Sequence, residues 1–288
     1  MLIDKEKLKD LLPAIAAEHR FRQAIVEKDY YLTIILNSIS SSLSGDIVFK
    51  GGTLLNKIHL NYHRLSEDLD FSYFGEMDLN ARSNRSAAIA PLKEKMPGFL
   101  ASLGLRSDQP KGEGFNSSKQ YVFNVLYPSV ITGKEEGIKI EISLRQKPYD
   151  QPVLNVIRHF YQDPFTGRNL IPENKILSLS LHEAVAEKLK AAITRKGPAI
   201  RDYFDLWHIA KAGFNFHQRH FVEIFTKKLK DEDYQGDFKD KFGLSEDKID
   251  LLARQIETDL MPVIRIDEVF DLNKVFSRFN PILGAMNS

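Results

Sequence analysis

The 288-residue sequence has no cysteine. This removes disulfides, thiolate zinc sites, iron–sulfur clusters and cysteine nucleophiles together, and it accords with a reducing compartment. Excess charge is lacking too. Forty Lys and Arg stand against 39 Asp and Glu, a formal balance of +1, so no global field gathers polyanions and any anion binding has to be local. No long apolar run occurs: the longest, near residues 30–36, is broken by Thr33. The N-terminal Met-Leu-Ile-Asp-Lys-Glu-Lys carries charges where a signal peptide would have its apolar stretch. A cytoplasmic protein without a membrane partner is expected. There is no Walker A sequence and no Gly-x-Ser-x-Gly elbow. His182-Glu-Ala-Val-Ala186 begins like a zinc-protease helix but has Ala186 where the second histidine belongs, and His59 and His63 lack a carboxylate at matching spacing. What is present is a globular composition, 43% hydrophobic and 27% charged without repeats, long enough for two domains at roughly 150 residues each.

Periodicity divides the chain. Apolar residues recur at helical spacing over 5–19 and 23–43, where Tyr31, Leu32, Ile35, Leu36 and Ile39 form a stripe. Residues 46–49 are β-branched and bounded by Gly45 and Gly51, which predicts a strand running into a glycine turn, and 53–60 then reads as a helix. Over 65–74, Leu69, Phe71 and Tyr73 alternate with Asp68, Asp70 and Ser72, the period of a half-buried strand whose second face is acidic. A helix over 80–103 precedes strands at 121–127 and 138–143. From Leu177 the pattern is helical, over 181–196, 199–212, 217–229, 245–260 and 267–279, after a boundary carrying Pro164, Gly167 and Pro172. The expected architecture is α+β: residues 1–170 form a small mixed sheet with helices, N-terminal ones included, and residues 171–288 an all-α C-terminal domain.

The densest chemistry lies in Phe49-Lys-Gly-Gly-Thr53 and Arg64-Leu-Ser-Glu-Asp-Leu-Asp-Phe71. A strand, two glycines and a helix start put free backbone N–H groups and a positive dipole end at one point, where missing Cβ atoms let a phosphate approach. Asp68 and Asp70, two apart on a strand, leave the same face about 6–7 Å apart and repel unless a cation sits between them. Hard oxygen ligands of this kind suit Mg²⁺, or Mn²⁺, with a nucleotide's phosphates supplying further ligands. Glu141 offers a third carboxylate, because Lys139, Glu141 and Ser143 point opposite to Ile138, Ile140 and Ile142. It would complete the metal site or act as base on an attacking hydroxyl. A lone Gly-Gly is usually a turn and a lone Asp-x-Asp usually a solvated face. Together with Arg64, Ser66 and a later acidic strand, in this order, they are far less expected by chance.

This arrangement resembles the nucleotidyltransferase superfamily of the DNA polymerase β type. More narrowly, Phe-Lys-Gly-Gly-Thr, Arg-x-Ser-Glu-Asp-Leu-Asp-Phe and Lys-Ile-Glu-Ile resemble the AbiEii/AbiGii toxin nucleotidyltransferases of abortive-infection and toxin–antitoxin systems. The likeness extends to Ile25-Val-Glu-Lys-Asp-Tyr30, Glu187-Lys-Leu-Lys-Ala191 and Arg201-Asp-Tyr-Phe-Asp-Leu206. It implies that Asp68, Asp70 and Glu141 hold the metal, that Lys50, Gly51, Gly52, Thr53, Arg64 and Ser66 bind phosphate, and that a nucleotide passes from a nucleoside triphosphate to RNA, expected at the 3′ end of a tRNA, so that translation stops. It also implies an antitoxin that need not touch the toxin. A protein or small-molecule acceptor, or a nucleotide-binding module without turnover, are the alternatives.

Lys188 lies inside the stripe Leu181, Val185, Leu189, Ala192, the wrong place for an unpaired cation. It either meets Asp202 or Asp205 as a buried ion pair or faces a polar cleft between the domains. The resemblance implies contact with the triphosphate or leaving pyrophosphate. Asp202 and Asp205, three apart on the next helix, either fix Lys188 or bind the nucleotide's base or ribose. Trp207 and the aromatics near 214–221 are expected in the core. The basic clusters Arg195-Lys196 and Lys227-Lys228-Lys230 could touch an RNA backbone, but solvated helix faces are the default expectation.

Overall fold

The protein is described by a computed structural model over residues 4–286, so Met1–Ile3 of the charged N-terminal stretch lie outside the described residues. The chain forms two compact units. One comprises the residues up to Asn61 together with Leu65–Leu179, and the other Tyr62–Arg64 together with the residues from Ser180 onward.

In the first unit α1 (Lys5–His19) starts where the Asp4 carboxylate accepts from the N–H of Glu6 and Lys7 and stops at Arg20 in the left-handed region. α2 (Gln23–Ser42) is buried along most of its length. Eight strands make one mixed sheet: β1 (Ile47–Lys50), β2 (Asp68–Tyr73), β3 (Arg106–Ser107), β4 (Glu113–Phe115), β5 (Gln120–Pro128), β6 (Glu135–Ser143), β7 (Val153–Val156) and β8 (Lys175–Ser178), ordered β3-β5-β6-β2-β1-β8-β7 with β4 also on β5. α3 (Gly51–Leu54) runs into a π-helical turn (Leu55–His59), and α4 (Arg82–Ser102) follows β2. One sheet face carries Phe49, Leu69, Phe71, Phe123, Ile140 and Ile142, all fully buried.

The sequence pattern misses four strands. β3, β4 and β7 are short and largely exposed and lack the buried alternation that marks a strand, while β8, which alternates, has only four residues over which to show it. β8 nevertheless decides where the first unit ends. Phe49 pairs with Ser178 and its carbonyl accepts from the Leu179 N–H at 3.0 Å, so the division falls after Leu179, beyond the proline- and glycine-bearing segment at 163–173. The helix read over 53–60 begins earlier, at Gly51.

The second unit is helical: α5 (Leu181–Thr194), α6 (Ile200–Lys211), α7 (Arg219–Lys230), α8 (Glu246–Gln255) with a π-helical turn (Ile256–Leu260), and α9 (Leu272–Met286). α5 is capped by the Ser180 hydroxyl, which accepts from the Glu183 N–H. α9 starts at Leu272 and not at 267, because the Asp271 carboxylate accepts from the Asn273 N–H and fixes the helix start. Phe216 and Phe221 are core residues, whereas Trp207 is half-buried. Lys228, read as solvated, is buried against Glu183 at 2.8 Å and Glu187 at 3.2 Å. Both acids lie on α5, which turns that position into a tie between α5 and α7.

Candidate active site

The site of the first unit is built on three adjacent strands. β1 and β2 run antiparallel with Lys50 opposite Asp70. β2 and β6 run parallel, so that Asp68 lies beside Lys139 and Asp70 beside Glu141. Residues opposite one another share a face, and so do residues two apart. Lys50, Asp68, Asp70, Lys139 and Glu141 therefore leave the sheet together, opposite the apolar face.

The glycine turn is fitted to this acidic face. Gly51 has φ +78°, and a Cβ there would stand 2.2 Å from Asp70 Oδ2 and 2.8 Å from Asp70 Cβ. Only glycine allows both the backbone and the carboxylate to be where they are. Gly51, Gly52 and Thr53 open the helical segment, so their N–H groups have no acceptor one turn back. The buried Thr53 hydroxyl donates to the Asp68 main-chain carbonyl at 2.5 Å, tying the turn to the start of β2. Ser66 is buried on the approach to that strand.

Burial, with repulsion from Glu141 and Asp68, pushes the Asp70 carboxyl up to about 6 against the opposing Lys50 and Lys139. Burial works against the Lys139 ammonium, but Asp68, Glu141 and Asp70 outweigh it and raise its pKa. Its Nζ lies 3.3 Å from Glu141 Oε2. The donor set is all hard oxygen, and the raised Asp70 marks negative charge that two lysines do not offset. These residues therefore fit a divalent cation, which Asp68, Asp70 and Glu141 would hold. The three do not bring their oxygens within 4.8 Å of one another here, and Glu141 is engaged by Lys139.

Beneath the turn lies a buried cluster that sequence reasoning missed. Lys57, 0% exposed, sits 2.9 Å from the Asp29 carboxylate and donates to Thr33 Oγ1 at 2.8 Å. The Tyr161 hydroxyl donates to the same carboxylate at 2.8 Å. Asp29 belongs to the Val-Glu-Lys-Asp-Tyr segment of α2, whose neighbouring Glu27 accepts from Ser129 and Val130 in the β5–β6 turn. The segment thus holds both the helix after the glycine turn and the hairpin bearing Glu141. The signal was a lysine four residues after Thr53, set among Leu54, Leu55 and Ile58.

The second unit gathers the other predicted residues. Arg64 lies in this unit, where it bridges to Ile264. Its guanidinium grips Asp205 at both oxygens, Nε to Oδ1 at 2.7 Å and Nη2 to Oδ2 at 2.9 Å. Lys188 contacts Asp202 at 2.8 Å and Asp205 at 2.9 Å, and Arg195 contacts Asp202 at 2.9 Å. The ion-pair reading of Lys188 is what the geometry shows. Burial alone would raise the Asp205 carboxyl, but Arg64 and Lys188 hold it well below the usual carboxylate range. Burial lowers His63, so its neutral ring donates to Asp205 from Nε2 at 2.7 Å. Lys188 and Arg64 thus join Asp202 and Asp205 in one cluster, separate in the chain's division into units from the Asp68, Asp70 and Glu141 face.

A glycine turn is thus packed on an Asp-x-Asp strand, with a third acid on the parallel neighbour. The chain belongs to the AbiEii family, nucleotidyl transferase toxins of type IV toxin–antitoxin systems, which matches residues 34–271. In fold it is similar to MenT4, a nucleotidyltransferase toxin from Mycobacterium tuberculosis H37Rv, at 17% identity and a TM-score of 0.59, over 99% of this chain and 98% of that one. It is also similar to JHP933 from Helicobacter pylori, at 17% identity and a TM-score of 0.50, over 92% and 93% of the two chains. No curated protein matches the sequence. Family membership implies a nucleoside triphosphate substrate, a divalent metal and an antitoxin. Among the described residues no helix is long and apolar enough to cross a membrane.

Proposed function

We propose that the protein transfers a nucleotide from a nucleoside triphosphate to an RNA hydroxyl, at the 3′ end of a tRNA, with Mg²⁺ as the metal, and so blocks translation. The observation that carries this reading is the register that sets Asp70 between Lys50 and Glu141 and Asp68 beside Lys139, against the Gly51 turn. A bound divalent cation would polarise the triphosphate and neutralise charge developing on it. The chain's own residues do the rest. The N–H groups of Gly51, Gly52 and Thr53, with Lys50 and Ser66, seat phosphate oxygens. Glu141 takes the proton of the acceptor hydroxyl as its oxygen bonds to the α-phosphorus, and the α–β bridge breaks to release pyrophosphate. In the second unit Asp202 and Asp205 keep Lys188 and Arg64 oriented. The work is positioning and charge stabilisation.

The test is transfer of label from α-labelled nucleoside triphosphates to total RNA with Mg²⁺ or with EDTA. Label enters small RNA only with the metal and is lost in the Asp68→Ala/Asp70→Ala variant. Equal labelling by the variant, or label in protein and not RNA, overturns the assignment.

A further inference from the structure

The open face bearing the carboxylates does not stop at β6. Across the sheet, Glu141 lies beside Val122 of β5, which lies beside Glu113 of β4. One step along the strands, Ser143 lies beside Gln120, which lies beside Phe115. Opposite residues share a face, so Phe115 projects from the same side as Glu141, Asp70 and Asp68. Two strand spacings and two residues separate it from Glu141, about 12 Å. Phe115 is 41% exposed.

A single exposed aromatic is ordinary, but this one has a built support. Behind it Gly114 lacks a side chain, and the Tyr121 ring fills that space, 3.1 Å from where a Cβ would be. The turn that follows holds Asn116, Ser117 and Ser118 in the left-handed region, with φ of 52°, 55° and 64°. The buried Arg85 fixes it by donating twice to the Ser117 carbonyl, at 3.3 and 3.0 Å. Beside Phe115 the Gln120 side-chain oxygen meets Asn116 Nδ2 at 3.3 Å and Arg145 Nη2 at 3.5 Å. Arg145 and Lys119 are exposed, and the Leu144 N–H donates to the Lys119 carbonyl, setting the two segments side by side.

The geometry points to the β4–β5 hairpin as the platform for the acceptor RNA's single-stranded end. A base near the 3′ terminus stacks on Phe115, and Arg145 with Lys119 meets the backbone phosphates. An aromatic face with a guanidinium alongside is what unstacked nucleotides recognise, and about 12 Å is a span of a few nucleotides from the reacting hydroxyl. The inference rests on the RNA-acceptor reading above and adds where the acceptor binds.

It is tested by steady-state transfer kinetics on the full chain, with the RNA that the wild type labels. Phe115→Ala raises KM for RNA about tenfold, leaves KM for the nucleotide unchanged, and Phe115→Trp restores the RNA value. Arg145→Met weakens RNA binding and lowers its salt-dependence slope by about one. An unchanged KM for RNA in Phe115→Ala with the wild type active overturns the platform and leaves the function standing. A wild type that labels no RNA overturns both. A dimer that Phe115→Ala dissociates would give the hairpin to a second copy and also overturn the platform.

Discussion

Asp70 makes the strongest quantitative demand on the fold. Its carboxyl stands at about 6 against an ordinary value of 3.8, through burial and the neighbouring Glu141 and Asp68. An acid so raised binds protons more readily when folded than when unfolded, so stability falls as pH rises from about 4 to about 6 and is flat above. At roughly 1.4 kcal/mol per pKa unit, the ionised Asp70 costs about 3 kcal/mol at pH 7. Asp70→Asn removes the charge while keeping the shape. Measured by urea unfolding in EDTA, the variant is expected to match the wild type near pH 4 and exceed it by about 2–3 kcal/mol at pH 7, although nucleotidyl transfer is lost. Titrating groups away from this face cancel in the difference. Mg²⁺ at pH 7 should raise the wild type more than the variant. A variant less stable than the wild type at pH 7, or a difference that does not change between pH 4 and 7, would refute the reasoning.

Two further variants probe the support of the site. Gly51→Ala meets both a positive φ and the Asp70 carboxylate at 2.2 Å; a loss of about 2–4 kcal/mol and of transfer is expected in urea unfolding and labelling assays, and near-wild-type values of both would show that the turn is not fixed as described. At the Lys57–Asp29 pair, Lys57→Met alone should cost about 3–5 kcal/mol because it strands a buried carboxylate, whereas the Lys57→Met/Asp29→Leu double variant should recover most of it. Additive losses in that double-mutant cycle would remove the pair as a coupled unit.

Much of the site was legible because it depends on local spacing. Asp68 and Asp70 share a face by strand periodicity alone, and Gly51 announces its turn beside a β-branched strand. Other relationships depend on register between distant segments. That Lys139 stands beside Asp68 follows only from the parallel pairing of β2 with β6, and no periodicity contains it. Arg64 was read with the motif it precedes, yet its partner Asp205 lies 141 positions away and draws residues 62–64 into the second unit. β7 escaped for a different reason. Val153, Leu154 and Val156 on β7 are exposed, so burial left no pattern to find, and backbone pairing made the strand.

The two charge clusters differ in sign and in how they are settled. Asp205 lies far below its ordinary range because Arg64, Lys188 and His63 meet it within 2.9 Å. Removing Arg64 or Lys188 leaves buried negative charge under-compensated, which is how a positioning network behaves. Asp70 moves the other way: Lys50 and Lys139 oppose the shift and do not cancel it. A carboxylate that the fold itself leaves under-compensated, on an open face beside a glycine turn, is poised for a further cation. The near-neutral total of 40 against 39 therefore conceals two local imbalances of opposite direction. Only the acidic one has chemistry to gain from a divalent ion; on the function proposed above, bond formation falls on the β2–β6 face and the Asp205 cluster holds its cations in position.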